Sequence, residues 1–213
     1  MVHVVRNRLL SLKSLPETLE AHYGSGPIKY CKFIYYSILS INKFVIMFAS
    51  KNDFNEKQAE EYRHPCIEIQ QKTLSEFRDG KHLPREYYFD KQDGSMRCFA
   101  VTMDGTPCHI HWVHGKGVAG RFLILGDGEA EISHIVTLPE YRGQGLCSQS
   151  IRQTLAQLFR EGCERVYSVV HSENAASLKA LSNAGMTRLR VVHTLGPFNR
   201  RVRPGADREG VGR

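Results

Sequence analysis

The chain has 213 residues, enough for one well-packed core, and its 41% hydrophobic and 24% charged residues are typical of an ordinary soluble protein. The formal net charge is +7. From Arg200 onward, five arginines are offset only by Asp207 and Glu209, so a net charge of +5 − 2 = +3 lies in a tail predicted to be disordered. The remaining +4 is modest and suits an anionic cofactor as well as nucleic acid.

The cysteines, six in number, follow no CxxC pattern and no regular spacing along the chain. No secretory signal is recognised in front of them. They are therefore interpreted as reduced intracellular thiols and not as a disulfide framework or a zinc site, and the expected location is cytoplasmic.

Residues 1–65 are interpreted as an N-terminal extension with helical and strand segments. Capping signals and apolar spacing predict helices at 15–23 and 28–39. A β-hairpin is the alternative for the second of these segments. A strand is predicted at Phe44–Phe48. The apolar run that begins at Ile28 is split by the segment Ser40-Ile41-Asn42-Lys43 into pieces too short to cross a bilayer, so no transmembrane helix is expected. Packing against a sheet edge is favoured over contact with a membrane surface.

Residues 66–195 are expected to form the main domain, which a basic tail at 196–213 follows. A strand at Ile67–Ile69 and a helix at Thr73–Arg78 open this domain. The long polar segment Gly80–Asp93 then carries Tyr87 and other aromatic residues. Two interpretations stay open for it: a substrate-binding segment that contacts the substrate through Tyr87, or a lid over the edge of the core.

Two strands at Arg97–Met103 and Pro107–Val113 are predicted to form a hairpin, because Asp104-Gly105 between them favours a tight turn. The second strand holds His109 and His111 on one face, which raises the question of a metal pair. The sequence shows no aspartate, glutamate or cysteine at a spacing suited to complete a metal site with these histidines, so no metal is predicted. Substrate contact is the preferred role for His111 and Trp112.

The stretch from Glu129 to Arg160 has the pattern of a strand, a glycine turn and an amphipathic helix. Gly143 and Gly145 allow a tight backbone that approaches a ligand closely. The helix after this turn presents free N–H groups and the positive end of its dipole, with Arg142 beside them. This arrangement predicts an anion site, most naturally for a phosphate.

The hexapeptide 142–147, Arg-Gly-Gln-Gly-Leu-Cys, resembles the acyl-CoA pyrophosphate loop of the GNAT N-acetyltransferase superfamily, whose pattern is Gln/Arg-x-x-Gly-x-Gly/Ala. Cys147 departs from that pattern where the family has a smaller residue. A second motif, Asn-Ala-Ala-Ser at 174–177 with Ala-Gly-Met at 184–186, is similar to the family segment Asn-x-x-Ala/Ser … Gly-Phe. The resemblance covers about residues 66–192.

The resemblance implies an α/β (α+β) protein with the GNAT fold, whose mixed central sheet splays open at the acyl-CoA site. The usual final strand of that fold is expected to be short, absent or replaced by the strand at Phe44–Phe48. The implied activity is an acetyl-CoA-dependent N-acetyltransferase that transfers the acetyl group directly to a primary amine and needs no metal. The residues expected to bind acetyl-CoA are Ile135, Val136, Thr137, Arg142, Gly143, Gln144, Gly145, Leu146, Cys147, Ser148, Asn174 and Ser177.

A general base is needed because an alkylammonium is protonated at neutral pH. The resemblance to the histone-acetylating branch points to Glu131 on the central strand. His134 is the second candidate, together with Glu129, and strand alternation predicts that His134 and Glu131 point to opposite faces. Packing alone, at a strand edge or in the core, is the alternative for both residues.

One position departs from the family: Leu181 stands where many members carry a tyrosine that protonates the CoA thiolate. The amino-acid sequences of segments 83–88 and 109–113 resemble those of bacterial GNAT proteins found near polysaccharide genes, which suggests an amino-sugar acceptor. The alternative function is a non-catalytic acyl-CoA-binding or interaction module. Nucleic acid is not an expected partner, and a homodimer is left open.

Overall fold

The computed structural model describes residues 41–56, 64–91, 96–118 and 122–195. The helices predicted at 15–23 and 28–39 and the tail at 196–213 lie outside these ranges. The chain divides into two compact units. One unit holds residues 43–192 among the described ones, whereas the other contributes only 41–42 and 193–195 to the described part.

Seven strands form one mixed sheet, and three α-helices accompany it in the described residues. Short 3-10 segments span Lys51–Asp53, Arg85–Lys91 and Pro139–Tyr141. The strands are β1 (Ile41–Ser50), β2 (Cys66–Ile69), β3 (Arg97–Met103), β4 (Thr106–Gly115), β5 (Glu129–Thr137), β6 (Arg165–His171) and β7 (Thr187–Leu195), and the helices are α1 (Gln71–Arg78), α2 (Leu146–Arg160) and α3 (Ala175–Asn183).

The strand order is β2-β3-β4-β5-β6-β1-β7. All pairs from β2 to β5 are antiparallel, β5 and β6 are parallel, and β1 returns antiparallel to β6. The N-terminal strand therefore occupies the place next to β6, which is the replacement that the sequence left as one of three alternatives. The predicted α/β (α+β) class with a mixed central sheet is confirmed.

The strand predicted at Phe44–Phe48 forms the middle of β1, and Ile46 and Met47 in it are fully buried. The strand β1 thus lies in the same sheet as the segment that was expected to form the main domain alone. The division at residue 65 stays a prediction, but it does not separate β1 from the sheet.

One face of the sheet packs on α2 and α3 through a cluster that includes Phe99, Ile132, Ile151 and Leu155. The periodicity of α2 explains this, because its buried residues recur every three or four positions and face the strands. The opposite face carries a second cluster of Leu74, Tyr87, Phe89, Cys98, Ala100, Ile110, Trp112 and Leu138.

The segment Gly80–Asp93 supplies this second cluster with two aromatic side chains. Tyr87 is fully buried and its hydroxyl donates to the carbonyl of Pro107 at 2.6 Å, and Phe89 is 8% exposed. The burial of both side chains fits the lid over the core, whereas contact of Tyr87 with a substrate stays a prediction.

The β3–β4 hairpin turns at Asp104 and Gly105, which both have positive φ (48° and 74°). Two successive residues with positive φ are the signature of the turn whose twist matches the strands. The predicted hairpin is confirmed.

Candidate active site

The sheet opens between β5 and β6. Their parallel pairing joins residues 129–131 to residues 165–167 and ends there, although β5 continues to Thr137 and β6 to His171. The backbone of the second half of β5 is therefore left without pairing to β6. This is the splayed edge that the resemblance predicted.

The turn after β5 leads into α2 with left-handed backbone at Gly143 (φ 79°) and Gly145 (φ 75°). Gly145 is the N-cap of α2, and no side chain caps the helix. The first turn of α2 also lacks acidic residues. Its N–H groups and dipole consequently remain available to an anion, as the sequence predicted.

A cleft of about 630 Å³ lies between the end of β5, this turn and α3. Of the residues predicted to bind acetyl-CoA, only Gln144 is not part of its wall; its side chain is exposed in the turn. The structure thus brings together Ile135, Val136, Thr137, Arg142, Gly143, Gly145, Leu146, Cys147, Ser148, Asn174 and Ser177.

Five further residues of the cleft wall were not predicted. One is Tyr141 in the turn, and the others lie on α3 at helical spacing, which is the signal that could have identified them once Asn174 and Ser177 were placed. These α3 residues are Ala176, Lys179, Ala180 and Asn183.

Asn174 has a structural role that its sequence motif did not reveal. It is the N-cap of α3, and its Oδ1 accepts a hydrogen bond from the N–H of Ser177 at 3.1 Å. Such a cap fixes the direction of α3 beside the cleft.

Cys147 is half-buried, and burial raises the pKa of its thiol to about 12. It therefore stays a neutral thiol at physiological pH and offers no thiolate nucleophile. Leu181 is fully buried in the cluster under α3 and does not belong to the cleft wall.

Glu131 lies at the last parallel pair and is 5% exposed. Its cross-strand neighbour is His114 on β4, also buried, with His114 Nε2 3.4 Å from Glu131 Oε2. Both side chains point away from α2, because the neighbouring Ala130 and Ile132 are the residues that pack on that helix.

His134 has positive φ (51°) and marks a bulge, since the register between β4 and β5 shifts at this point. Its ring stacks on Phe89 with centroids 3.5 Å apart, and Phe89 belongs to the cluster on the face that Glu131 shares. The prediction that His134 and Glu131 point to opposite faces is therefore wrong, because the bulge resets the alternation.

Desolvation of the stacked ring, together with the positive charge of Arg85 and the neighbouring His114, lowers the pKa of His134 to about 4. The ring is thus neutral at physiological pH. Glu129, the remaining candidate base, is already occupied: its carboxylate accepts from the Tyr167 hydroxyl and from the N–H of Gly126.

The three residues predicted to contact the substrate are fully buried in the structure, and their polar atoms have partners within the protein. Trp112 Nε1 donates to the carbonyl of Glu86 at 2.8 Å, and Tyr87 bonds to Pro107. His111 Nε2 lies 2.9 Å from Thr154 Oγ1 on α2. These contacts favour a packing role for all three over direct contact with an acceptor.

His109 and His111 do share one face of β4, as predicted, but this face is turned toward α2. His109 Nδ1 lies 2.7 Å from Thr137 Oγ1, and His111 continues the chain of contacts to Thr154. Burial lowers the pKa of His109 to about 3 and that of His111 well below its usual value, so both are neutral. Within the described residues, no group of three or more His, Cys, Asp or Glu side chains is arranged to hold a metal ion.

The described ranges also contain no helix with the length and apolar character needed to cross a membrane.

Solved structures with a similar fold include a GNAT-family protein from Novosphingobium aromaticivorans DSM 12444 (17% identity, 73% of this chain and 64% of that chain covered, TM-score 0.54). Also similar is an acetyltransferase from the GNAT family of Colwellia psychrerythraea (13% identity, 78% of this chain and 60% of that chain covered, TM-score 0.52). A third is a GCN5-related N-acetyltransferase from Sphaerobacter thermophilus (10% identity, 84% of this chain and 59% of that chain covered, TM-score 0.51). The matched part is thus less than two thirds of the length of each, and at these identities the likeness shows the fold alone.

No curated protein matches the chain in a sequence search. The family model described as acetyltransferase (GNAT) family matches residues 60–186, which is more than half of the chain. The chain therefore belongs to the acetyltransferase (GNAT) family.

Proposed function

We propose that the protein is an acetyl-CoA-dependent N-acetyltransferase that transfers the acetyl group directly to a primary amine. The observation that carries this proposal is the cleft itself. An uncapped helix N-terminus at Gly145 and the unpaired second half of β5 meet in one space of about 630 Å³. Membership of the family supports the same conclusion.

In this proposal the amides that open α2, with Arg142 beside them, receive the diphosphate of CoA. Arg142 is exposed, and its Nε donates to the carbonyl of Thr137 at 3.1 Å, so the guanidinium is held at the mouth of the cleft. The backbone of residues 135–137 would pair with the pantetheine arm, because β6 leaves that edge free.

The acceptor amine must lose a proton before it attacks the thioester, since free alkylammonium pKa values are about 10. Glu131 and His134 are the proposed bases, and both lie on the face of β5 away from α2. A carboxylate and a neutral imidazole can each take that proton. Leu181 cannot supply a proton to the departing thiolate, but a thiol with a pKa of about 8.5 is an acceptable leaving group without help.

An amino sugar is the narrower acceptor that we propose. Its support is the similarity of segments 83–88 and 109–113 to bacterial family members found near polysaccharide genes. A panel of amines containing amino sugars, polyamines, lysine peptides and protein N-termini tests this choice.

Titration calorimetry with acetyl-CoA, followed by a thiol-release assay over that panel, tests the function. We expect binding and amine-dependent release of CoA. Binding without release on any amine would instead support a non-catalytic acyl-CoA-binding module, the alternative that the leucine at 181 favours. Failure to bind acetyl-CoA would overturn both.

A further inference from the structure

The face of β5 that carries Glu131 also holds a group of buried polar atoms with unfilled hydrogen-bonding capacity. Among the described residues, both ring nitrogens of His114, Oε2 of Glu131 and Oγ of Ser133 have no hydrogen-bond partner. His114 Nε2 and Glu131 Oε2 lie 3.4 Å apart, but their geometry is not that of a hydrogen bond. Buried polar groups in folded proteins are nearly always satisfied, so this group indicates a function.

The sheet places these atoms together through strand register. His114 is the Cα partner of Glu131, and Trp112 is the partner of Ser133. The side chains of His114 and Glu131 are only 4% and 6% exposed. Glu131 lies where the parallel pairing of β5 with β6 ends. Its side chain is on the opposite face of β5 from Ile135 and Thr137, which line the cleft.

We propose that His114 is a positioning residue for Glu131, which it orients and with which it shares the proton taken from the acceptor. This inference rests on the proposed N-acetyltransferase function and deepens it. An imidazole beside a buried carboxylate can fix the orientation of the carboxylate and hold a proton between the two groups.

Atoms and electrons balance in this step. One N–H bond of the ammonium breaks, and its proton goes to Glu131 and is shared with His114. The freed nitrogen lone pair forms a C–N bond to the thioester carbonyl while the C–S bond breaks. The second proton leaves the nitrogen for the departing thiolate, so the products are the amide and CoA with a free thiol.

Other titratable groups face this pair from neighbouring positions. His134 lies on the same face of β5, and Glu129 precedes Glu131 by two residues. Tyr167 on β6 is engaged with Glu129, and Arg165 is 3.6 Å from the same carboxylate. Tyr167 is the cross-strand partner of Glu131 on β6, but its hydroxyl donates to Glu129 and not to Glu131. His114 is the partner on β4, and its ring lies 3.4 Å from the Glu131 carboxylate.

The test uses the full chain with the variants His114→Gln, Glu131→Gln and the double variant. His64→Gln is the control, because His64 is a half-buried histidine whose backbone carbonyl, not its ring, makes the contact to Gln153. Acetyl-CoA affinity is measured first, and we expect it to stay within about twofold in every variant, because neither residue of the pair lines the cleft.

The second measurement is the pH dependence of kcat and KM with the best primary amine of the panel. We expect Glu131→Gln to lower kcat by about 10²–10⁴-fold and His114→Gln by at least about 10-fold. The acidic limb of the pH profile should also move in His114→Gln. The double variant should be no slower than Glu131→Gln by more than about threefold, since residues that act as one unit are not additive.

The inference is overturned if His114→Gln keeps the kcat and pH profile of the wild type, or if the two losses multiply in the double variant. Should His114→Gln fail to bind acetyl-CoA because it does not fold, Glu131→Asp decides. This variant keeps the charge but draws the carboxylate away from His114, so full activity in it would overturn the inference and a lowered kcat would support it. A wild type that releases no CoA with any amine would instead remove the proposed function itself.

Discussion

Gly145 combines two constraints in one residue. Its φ of 75° lies in the left-handed region, and a Cβ there would approach the Gln149 side-chain amide at 3.4 Å. The same residue is the N-cap of α2 and lines the cleft. Any side chain at this position would therefore strain the backbone and also stand where a bound diphosphate is proposed.

We predict that Gly145→Val weakens acetyl-CoA binding by at least about 10-fold and lowers the free energy of unfolding by about 1–2 kcal/mol. Gly162→Val is the matched control, because Gly162 follows α2 at its other end, has φ 97° and has open space around its Cβ position. It should lose similar stability and keep its affinity. Calorimetry and urea unfolding measure the two effects; equal affinity in both variants would contradict the prediction.

The residues that line the cleft could be predicted from the sequence because glycine and asparagine at fixed positions in a strand–turn–helix leave a local signature. The arrangement on the face of β5 that carries Glu131 could not. The pairing of Glu131 with His114 depends on strand register, and the position of His134 depends on a bulge that no local pattern announces. Likewise, an aromatic or histidine residue such as Trp112 looks the same in sequence whether it is buried or exposed.

At the scale of elements, an ion pair fixes the segment over the second cluster. Arg78 at the end of α1 and Asp90 in the 3-10 segment Arg85–Lys91 lie 2.7 Å apart, with side chains 5% and 10% exposed. Arg78 Nε also donates to the carbonyl of Leu74. This pair anchors the segment that places Phe89 on His134.

We predict that Asp90→Asn lowers the free energy of unfolding by about 3–5 kcal/mol, because it leaves a buried guanidinium without its charged partner. Asp127→Asn is the control, since Asp127 pairs with Lys116 at a well-solvated site with side chains 88% and 60% exposed. That change should have no measurable effect. Urea unfolding of both variants checks the difference, and equal stabilities would show that the buried pair is not an anchor.

At the scale of the whole molecule, buried neutral histidines make stability depend on pH. The pKa of His109 is lowered to about 3 and that of His111 also lies well below 6.5, so the unfolded chain binds more protons than the folded one between these values. Stability from these groups is thus fully present above pH 6.5 and is lost as the pH falls.

We predict that the free energy of unfolding decreases as the pH is lowered from 7 to 5, with a limiting slope of up to about 1.4 kcal/mol per pH unit for each histidine. His111→Gln should reduce that limiting slope by up to about 1.4 kcal/mol per pH unit, the contribution of one histidine. Urea unfolding at several pH values measures the slope. A wild-type stability that does not change over this range would refute the prediction.

The place of β1 has a consequence for synthesis. Its residue Ile46 pairs with Val169, although more than a hundred residues separate them in the chain. The earliest described strand to leave the ribosome must therefore wait, with its apolar side chains exposed, until nearly the whole domain has been made. Assembly of this sheet is consequently a late, non-local event, and a nascent chain stalled before β6 would present an unpaired, aggregation-prone edge.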